Sequence, residues 1–297
     1  MSRGLAVGID VGGTKIAAGV VDQHGHVLAS RRTATPSDSS DELVEAVVGL
    51  VESLRTDHAV EAVGLSVAAF VDRDRARAVT APNLAWRDVP LRDLVSSRTG
   101  LPAVVENDGN AAAWGERTFG AGRGVDDLLL VAVGTGVGGG IVLGGELRRG
   151  GHGMAAEIGH VTLVPDGRPC GCGRRGCLEQ YASGSALVAA APPDTDGPML
   201  AELAQSGDAG AVRLFEELGT HLGVGLASLV AVLDPEVIVL GGGVAEVGDL
   251  LLTPARTALL AELPGGPERP APRLVPALLG NTAGLVGAAH LALMERA

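Results

Sequence analysis

Four side chains able to bind a transition metal fall in one short stretch, residues 159–180, GHVTLVPDGRPCGCGRRGCLEQ. His160 precedes Cys170, Cys172 and Cys177, and these three are all the cysteines of the chain. Three thiolates and an imidazole complete a tetrahedral Zn2+ set, which leaves no open position for water or substrate. The set therefore predicts a structural zinc. Gly171, Gly173 and Gly176 between the thiols favour a tight knuckle over a packed core. An odd, clustered cysteine count is a poor disulfide framework and suits a reducing compartment, so the expected location is the cytoplasm. Glu157 and Glu179 flank the cluster. Folding around zinc would fix both carboxylates as acceptors of the kind a polyol needs, making the metal the support of a sugar-binding wall.

A second chemical group lies in VVENDGN, residues 104–110, where an apolar run ends in Glu106, Asn107, Asp108 and Asn110. Polar residues at the C-terminal end of a strand stand where open α/β sheets bind ligands. Asp108 is the candidate general base, able to orient an attacking hydroxyl and accept its proton in phosphoryl transfer. The competing reading makes it a helix N-cap, stabilising the following helix by about 1 kcal/mol.

Two glycine turns offer a phosphate site. GTGVGG at 134–139 matches G-x-G-x-x-G, but a dinucleotide fingerprint needs a helix to open at the turn. Here the β-rich GIVLGGEL follows, so a nicotinamide site is rejected, and no P-loop sequence is present. The reading instead is two hairpin tips whose backbone N–H groups cradle phosphate: Gly12 and Gly13 with Thr14 and Lys15, and Gly134, Thr135, Gly136 and Gly138. Asp10 could hold Mg2+ through water. LGGG at 240–243 is expected to open a helix N-terminus, with Gly241, Gly242 and Gly243 on the nucleotide side.

Strands and helices must bring these groups together. Residues 4–11 and 14–22 read as strands around the first glycine turn, and residues 26–35 as a third. Leu43, Val47, Leu50, Val51 and Leu54 mark a helix by their spacing, and the longest helix is expected over 208–233. Strand–glycine turn–strand occurs twice, at 8–22 and 131–145, about 124 positions apart. Two halves built alike suggest two related domains facing one cleft. Apolar residues make up 46% and aromatics 2%, which requires an aliphatic core and suits a buried, largely parallel sheet. The net charge of −12 disfavours nucleic acid or an anionic membrane as partner. No uninterrupted apolar stretch approaches a membrane span, and none is expected.

The chain resembles the ROK family of sugar kinases and related repressors, through almost its whole length. GIDVGGTK and VGTGVGGG resemble the family's two phosphate motifs, and LGGG its nucleotide-side turn. APNL with Asn83, ENDGNAAAWGE, AAEIGH and CGCGRRGCLEQYASG complete the likeness, the last being highly specific. The resemblance implies an α/β fold of the actin-like ATPase (ribonuclease H-like) type, with sugar in an interdomain cleft. Residues 1–107 with 285–297 would form the smaller domain and 108–284 the larger, zinc-bearing one. It implies Asp108 as catalytic base, Asn83, Asn107, Asp108, Glu157, His160 and Glu179 as sugar ligands, ATP with Mg2+ as phosphoryl donor, and a homodimer or homotetramer. His160 would offer one ring nitrogen to zinc and the other to the sugar.

The implied activity is ATP-dependent phosphorylation of glucose at O6; fructose, mannose, N-acetylglucosamine or N-acetylmannosamine are alternative acceptors. Polyphosphate-using relatives generally lack the knuckle. A repressor would carry an added helix-turn-helix, whereas a strand pattern starts here by about residue 4. A noncatalytic sugar sensor is the remaining alternative, against which the intact Asp108 counts. Family members often have Gly, Ala, Asn and Trp where this chain has Ala69, Gly109, Arg174 and Leu178; Ala69 and Leu178 are expected to alter the sugar loops.

Overall fold

The computed structural model describes residues 4–36, 39–81 and 86–295. In the first half, β1 (Leu5–Val11), β2 (Lys15–Asp22) and β3 (Val27–Ala34) are followed by α1 (Ser40–Arg55) and β4 (Ala62–Val67). Three short strands come next, β5 (Phe70–Val71), β6 (Ala78–Thr80) and β7 (Arg87–Val89), then α2 (Leu91–Thr99), β8 (Ala103–Asn107) and α3 (Asp108–Phe119). The second half contains β9 (Leu128–Val133), β10 (Val137–Leu143), β11 (Glu146–Leu147), α4 (Glu179–Ala182), α5 (Gly184–Ala190), α6 (Gly197–Gln205) and α7 (Ala209–Leu233). It closes with β12 (Val237–Gly241), α8 (Asp249–Glu262), β13 (Arg273–Pro276) and α9 (Ala283–Glu295).

The repeated plan extends beyond the hairpins. One sheet has the order β3-β2-β1-β4-β8 and the other β11-β10-β9-β12-β13. In both, the central strand pairs antiparallel with the strand after it and parallel with a later one. Each sheet is therefore the same motif used twice.

Packing follows from the strand composition. Val7, Ile9 and Val11 of β1, with Val63, Leu65 and Val67 of β4, form one core with α1 and α2. On α1 the buried residues Leu43, Val44, Val47, Leu50, Val51 and Leu54 form a single stripe, and Ser39 caps the helix by accepting the Glu42 N–H at 3.0 Å. Each buried aliphatic contributes about 1.5–3 kcal/mol and the cap about 1 kcal/mol. The opposite face of this sheet carries α9. In the second sheet, Leu128, Leu130, Val142, Val237 and Val239 pack with Ala113 of α3, while the other face meets α7 and α8. Helices α9 and α3 thus lie between the two sheets.

Their approach is close enough to exclude side chains. A Cβ on Gly64 would lie 1.9 Å from the Ala288 carbonyl oxygen, and one on Gly287 would lie 1.8 Å from that of Ala111. At the same crossing, Trp114 Nε1 donates to His290 Nδ1 at 3.0 Å. Burial holds His290 below its ordinary pKa, which keeps the accepting nitrogen unprotonated. Helix α7 has the length and mean hydropathy of a membrane span. Its buried residues, among them Phe215, Leu218, Leu222, Leu226 and Val230, pack instead into the second core.

The helix expected directly after Gly243 is a short 3-10 segment, Gly243–Val247, and α8 begins only at Asp249. Gly242 adopts φ 85°, and a Cβ there would lie 2.4 Å from the Val133 carbonyl oxygen. That turn against β9 requires glycine at 242.

Candidate active site

A cleft of about 470 Å³ is lined by the C-terminal ends of β1 and β12, the start of α3, the β9–β10 turn and the segment before α9. Asp10, Asp108, Gly134, Thr135, Gly136, Gly138, Glu179, Gly241 and Gly242 all contribute to its wall. Residues distant in sequence therefore converge on one cavity. Gly12, Gly13, Thr14 and Lys15 stand at the β1–β2 turn beyond Asp10, with the Lys15 charge acting on Asp10. Lys15 is the only lysine in the chain; the other 22 cationic side chains are arginine. Gly12, Gly13, Thr14, Lys15, Asn107, Glu157, His160 and Gly243 are not part of the cleft lining, and Asn83 lies outside the described residues.

The second glycine turn has the geometry of a hairpin tip. The Gly134 N–H bonds the Gly136 carbonyl at 3.0 Å, and β10 follows where a dinucleotide fold would place a helix. Added Cβ atoms on Gly134 and Gly138 would meet no protein atom within 4 Å. No packing demand explains glycine at these two positions, and both face the cleft, so a Cβ there would occupy ligand space.

Asp108 is not the helix cap. Asn107 takes that place, its Oδ1 accepting the Asn110 N–H at 3.1 Å. Asp108, the first residue of α3, is left free to face the cleft. Its Oδ1 accepts the Gly109 N–H at 2.9 Å and the Asn107 amide at 3.0 Å, which fixes its orientation. The Asp108 carboxylate is exposed to the cleft, while the cleft walls close around it and hold it partly desolvated. That desolvation, reinforced by the negative charges of Asp10 and Glu157, raises its pKa to about 6. A base poised close to neutrality suits proton transfer.

Asp10 is held by Ser66, whose hydroxyl donates to Oδ1 at 2.8 Å from the adjacent β4. Burial raises the Asp10 pKa, opposed by Ser66 and Lys15. Sequence reading missed Ser66, although it is the one hydroxyl in the otherwise apolar AVGLSV strand.

Adjoining Glu179 of the cleft wall, the ligand atoms of His160, Cys170, Cys172 and Cys177 lie within 4.8 Å of one another. Cys172 Sγ is 3.7 Å from Cys177 Sγ, and Cys170 Sγ is 3.7 Å from His160 Nδ1. Bonds of about 2.3 Å to a tetrahedral zinc set thiolates roughly 3.7 Å apart, so the four groups fit the ion. His160 faces two ways: Nδ1 toward Cys170, and Nε2 toward Glu157 Oε2 at 3.9 Å. Burial pushes the Cys170 thiol up to about 12, and it donates to Glu179 Oε1 at 2.9 Å. Burial also raises the Glu157 pKa, with Glu179 adding to the effect and His160 opposing it. Leu178 is buried in the second core, where a Cβ on Gly225 would lie 2.7 Å from it. The Ala69 carbonyl accepts from the Asn107 amide at 3.3 Å.

The comparisons with known proteins agree on one family. The family model described as "ROK family" matches residues 6–295. A glucokinase of Streptomyces coelicolor is 45% identical over 310 residues, covering 97% of this chain and 98% of that protein. An N-acetylmannosamine kinase of Yersinia pseudotuberculosis is 38% identical over 248 residues, covering 82% and 84%. Among solved structures, a ROK family glucokinase from Streptomyces griseus in complex with glucose and AMPPNP superposes with a TM-score of 0.90 at 47% identity, covering 98% of this chain and all of that one.

Proposed function

The chain belongs to the ROK family, and from that premise we propose that it is an ATP-dependent hexose kinase converting glucose to glucose 6-phosphate. The observation that carries this reading is the placement of Asp108, with a pKa raised to about 6, in the cleft that also holds the 134–138 turn, Gly241 and Gly242. Glucose is bound through Asn83, Asn107, Asp108, Glu157, His160 and Glu179. Asp108 accepts the proton of the 6-hydroxyl as its oxygen forms a bond to the γ-phosphorus of ATP. The bond from that phosphorus to the β,γ-bridging oxygen breaks, and ADP leaves with the electron pair. Backbone N–H groups at 12–15 and 134–138, with Lys15, neutralise and orient the phosphates. Mg2+ held near Asp10 would supply further charge neutralisation.

Zinc on His160, Cys170, Cys172 and Cys177 is proposed as structural, since four protein ligands close its coordination sphere. Domains of 1–107 with 285–297 and of 108–284, a homo-oligomeric state and a cytoplasmic location belong to the same proposal.

The deciding test is ADP release with glucose, fructose, mannose, N-acetylglucosamine and N-acetylmannosamine as acceptors. Glucose is expected to give the highest kcat/KM. A higher value for another sugar replaces the acceptor, and no sugar-stimulated ADP from zinc-loaded protein removes the kinase reading. Gly134→Ala places a methyl group in the phosphate cradle; the ATP KM is expected to rise about tenfold with the glucose KM unchanged. An unaltered ATP KM would place the phosphates elsewhere.

A further inference from the structure

Glu116 is wholly buried near the C-terminal end of α3. A carboxylate there faces the negative end of the helix dipole and carries the cost of desolvation. Among the described residues it forms no salt bridge. Three backbone N–H groups satisfy it instead: Ala121 to Oε2 at 2.8 Å, Leu278 to Oε2 at 3.1 Å and Leu279 to Oε1 at 2.7 Å. A Cβ on Gly120 would lie 2.0 Å from Oε2, so the chain leaves room for this group.

Only the first of these bonds secures the end of α3. The other two reach the segment between β13 and α9, which lines the cleft through Ala277, Gly280 and Asn281. At its near end, the same segment is tied to β12 by the Ala277 N–H on the Leu240 carbonyl at 2.7 Å. We infer that Glu116 is a positioning residue for the nucleotide, fixing the backbone of the cleft wall formed by 277–281. This rests on reading the cleft as the ATP site. Asp108 begins the same helix two turns earlier, about 12 Å along the axis. One rigid helix then sets the spacing between the catalytic base and the nucleotide wall.

The test combines steady-state kinetics with calorimetric ADP binding for wild type, Glu116→Gln, Leu278→Pro and Leu278→Ala. Glutamine turns an NH2 group toward N–H donors, and proline removes one of those donors. The Leu278 side chain is 72% exposed, so alanine there serves as the control. Glu116→Gln and Leu278→Pro are expected to raise the ATP KM and the ADP Kd by about tenfold or more, with the glucose KM within about twofold of wild type. Lower melting temperatures with unchanged ATP KM and ADP Kd would overturn the proposal and leave Glu116 a stabilising group only. Should Glu116→Gln not fold, Leu278→Pro against Leu278→Ala decides the point by the same readouts. Wild-type protein that binds ADP but transfers nothing to sugar would defeat the kinase reading while the ADP affinities still decide the role of Glu116. Wild-type protein that binds no ADP would overturn both.

Discussion

Asp108→Asn is expected to lower kcat for glucose phosphorylation by about 10²–10⁴-fold while the glucose KM stays within a few-fold of wild type. Asparagine keeps the size of the side chain and can still accept the Gly109 N–H, but it cannot take a proton. The pH dependence gives an independent check. Asp108 works as the carboxylate and its pKa is raised to about 6, so wild-type kcat should fall as pH drops through about 6 and level off above it. Burial is the largest cause of the raised value, and the charge of Glu157 adds to it. Glu157→Gln removes a negative neighbour, makes ionisation easier and should move the acid limb to lower pH. If Asp108→Asn retained wild-type kcat, another group would be the base; an acid limb near 4 would mean that the cleft does not desolvate Asp108 during turnover.

Removing zinc should act on the sugar and spare the nucleotide. Metal analysis is expected to find one zinc per chain in wild type and little in Cys177→Ser, whose native thiol is fully buried beside Cys172. Structural zinc contributes on the order of 10 kcal/mol to small metal-folded units, so segment 160–179 should lose its order. His160 and Glu179 would then leave the sugar wall. Two hydrogen bonds to charged groups, at about 1.5 kcal/mol each, correspond to a rise in glucose KM of roughly 100-fold. Zinc on this set would hold Cys170 as a thiolate with no proton to give Glu179, which would free that carboxylate for a hydroxyl group. A zinc-free variant with normal glucose KM would show the knuckle to be irrelevant to the sugar.

Much of this arrangement was legible in the sequence because its signals are local. Both glycine hairpins, α1, α3 and α7 follow from spacing and turn chemistry within short windows. The metal set could be counted in one segment. Residues whose meaning depends on distant partners stayed hidden. Ser66 matters only because β4 lies beside β1 and sets it opposite Asp10. Glu116 reads as an ordinary polar helical position until the segment at 278–279, some 160 residues later, comes to rest on it. The competing cap reading belongs to the neighbouring residue: Asn107 and Asp108 are both good N-caps, and β8 continues through Asn107 before the helix starts. The small β5-β6-β7 sheet escaped notice because strands of two or three residues carry no periodicity.

The lone lysine at the β1–β2 turn has a consequence for derivatisation. Guanidinium groups do not react with activated esters or aldehydes under mild conditions, so a reagent selective for amines finds one side chain, Lys15, besides the α-amino group. Two amines therefore compete for such reagents, and only Lys15 stands close to Asp10 at the β1–β2 turn. On the proposed role of that turn, coupling at Lys15 would compete with ATP, and ATP would protect Lys15 from the reagent.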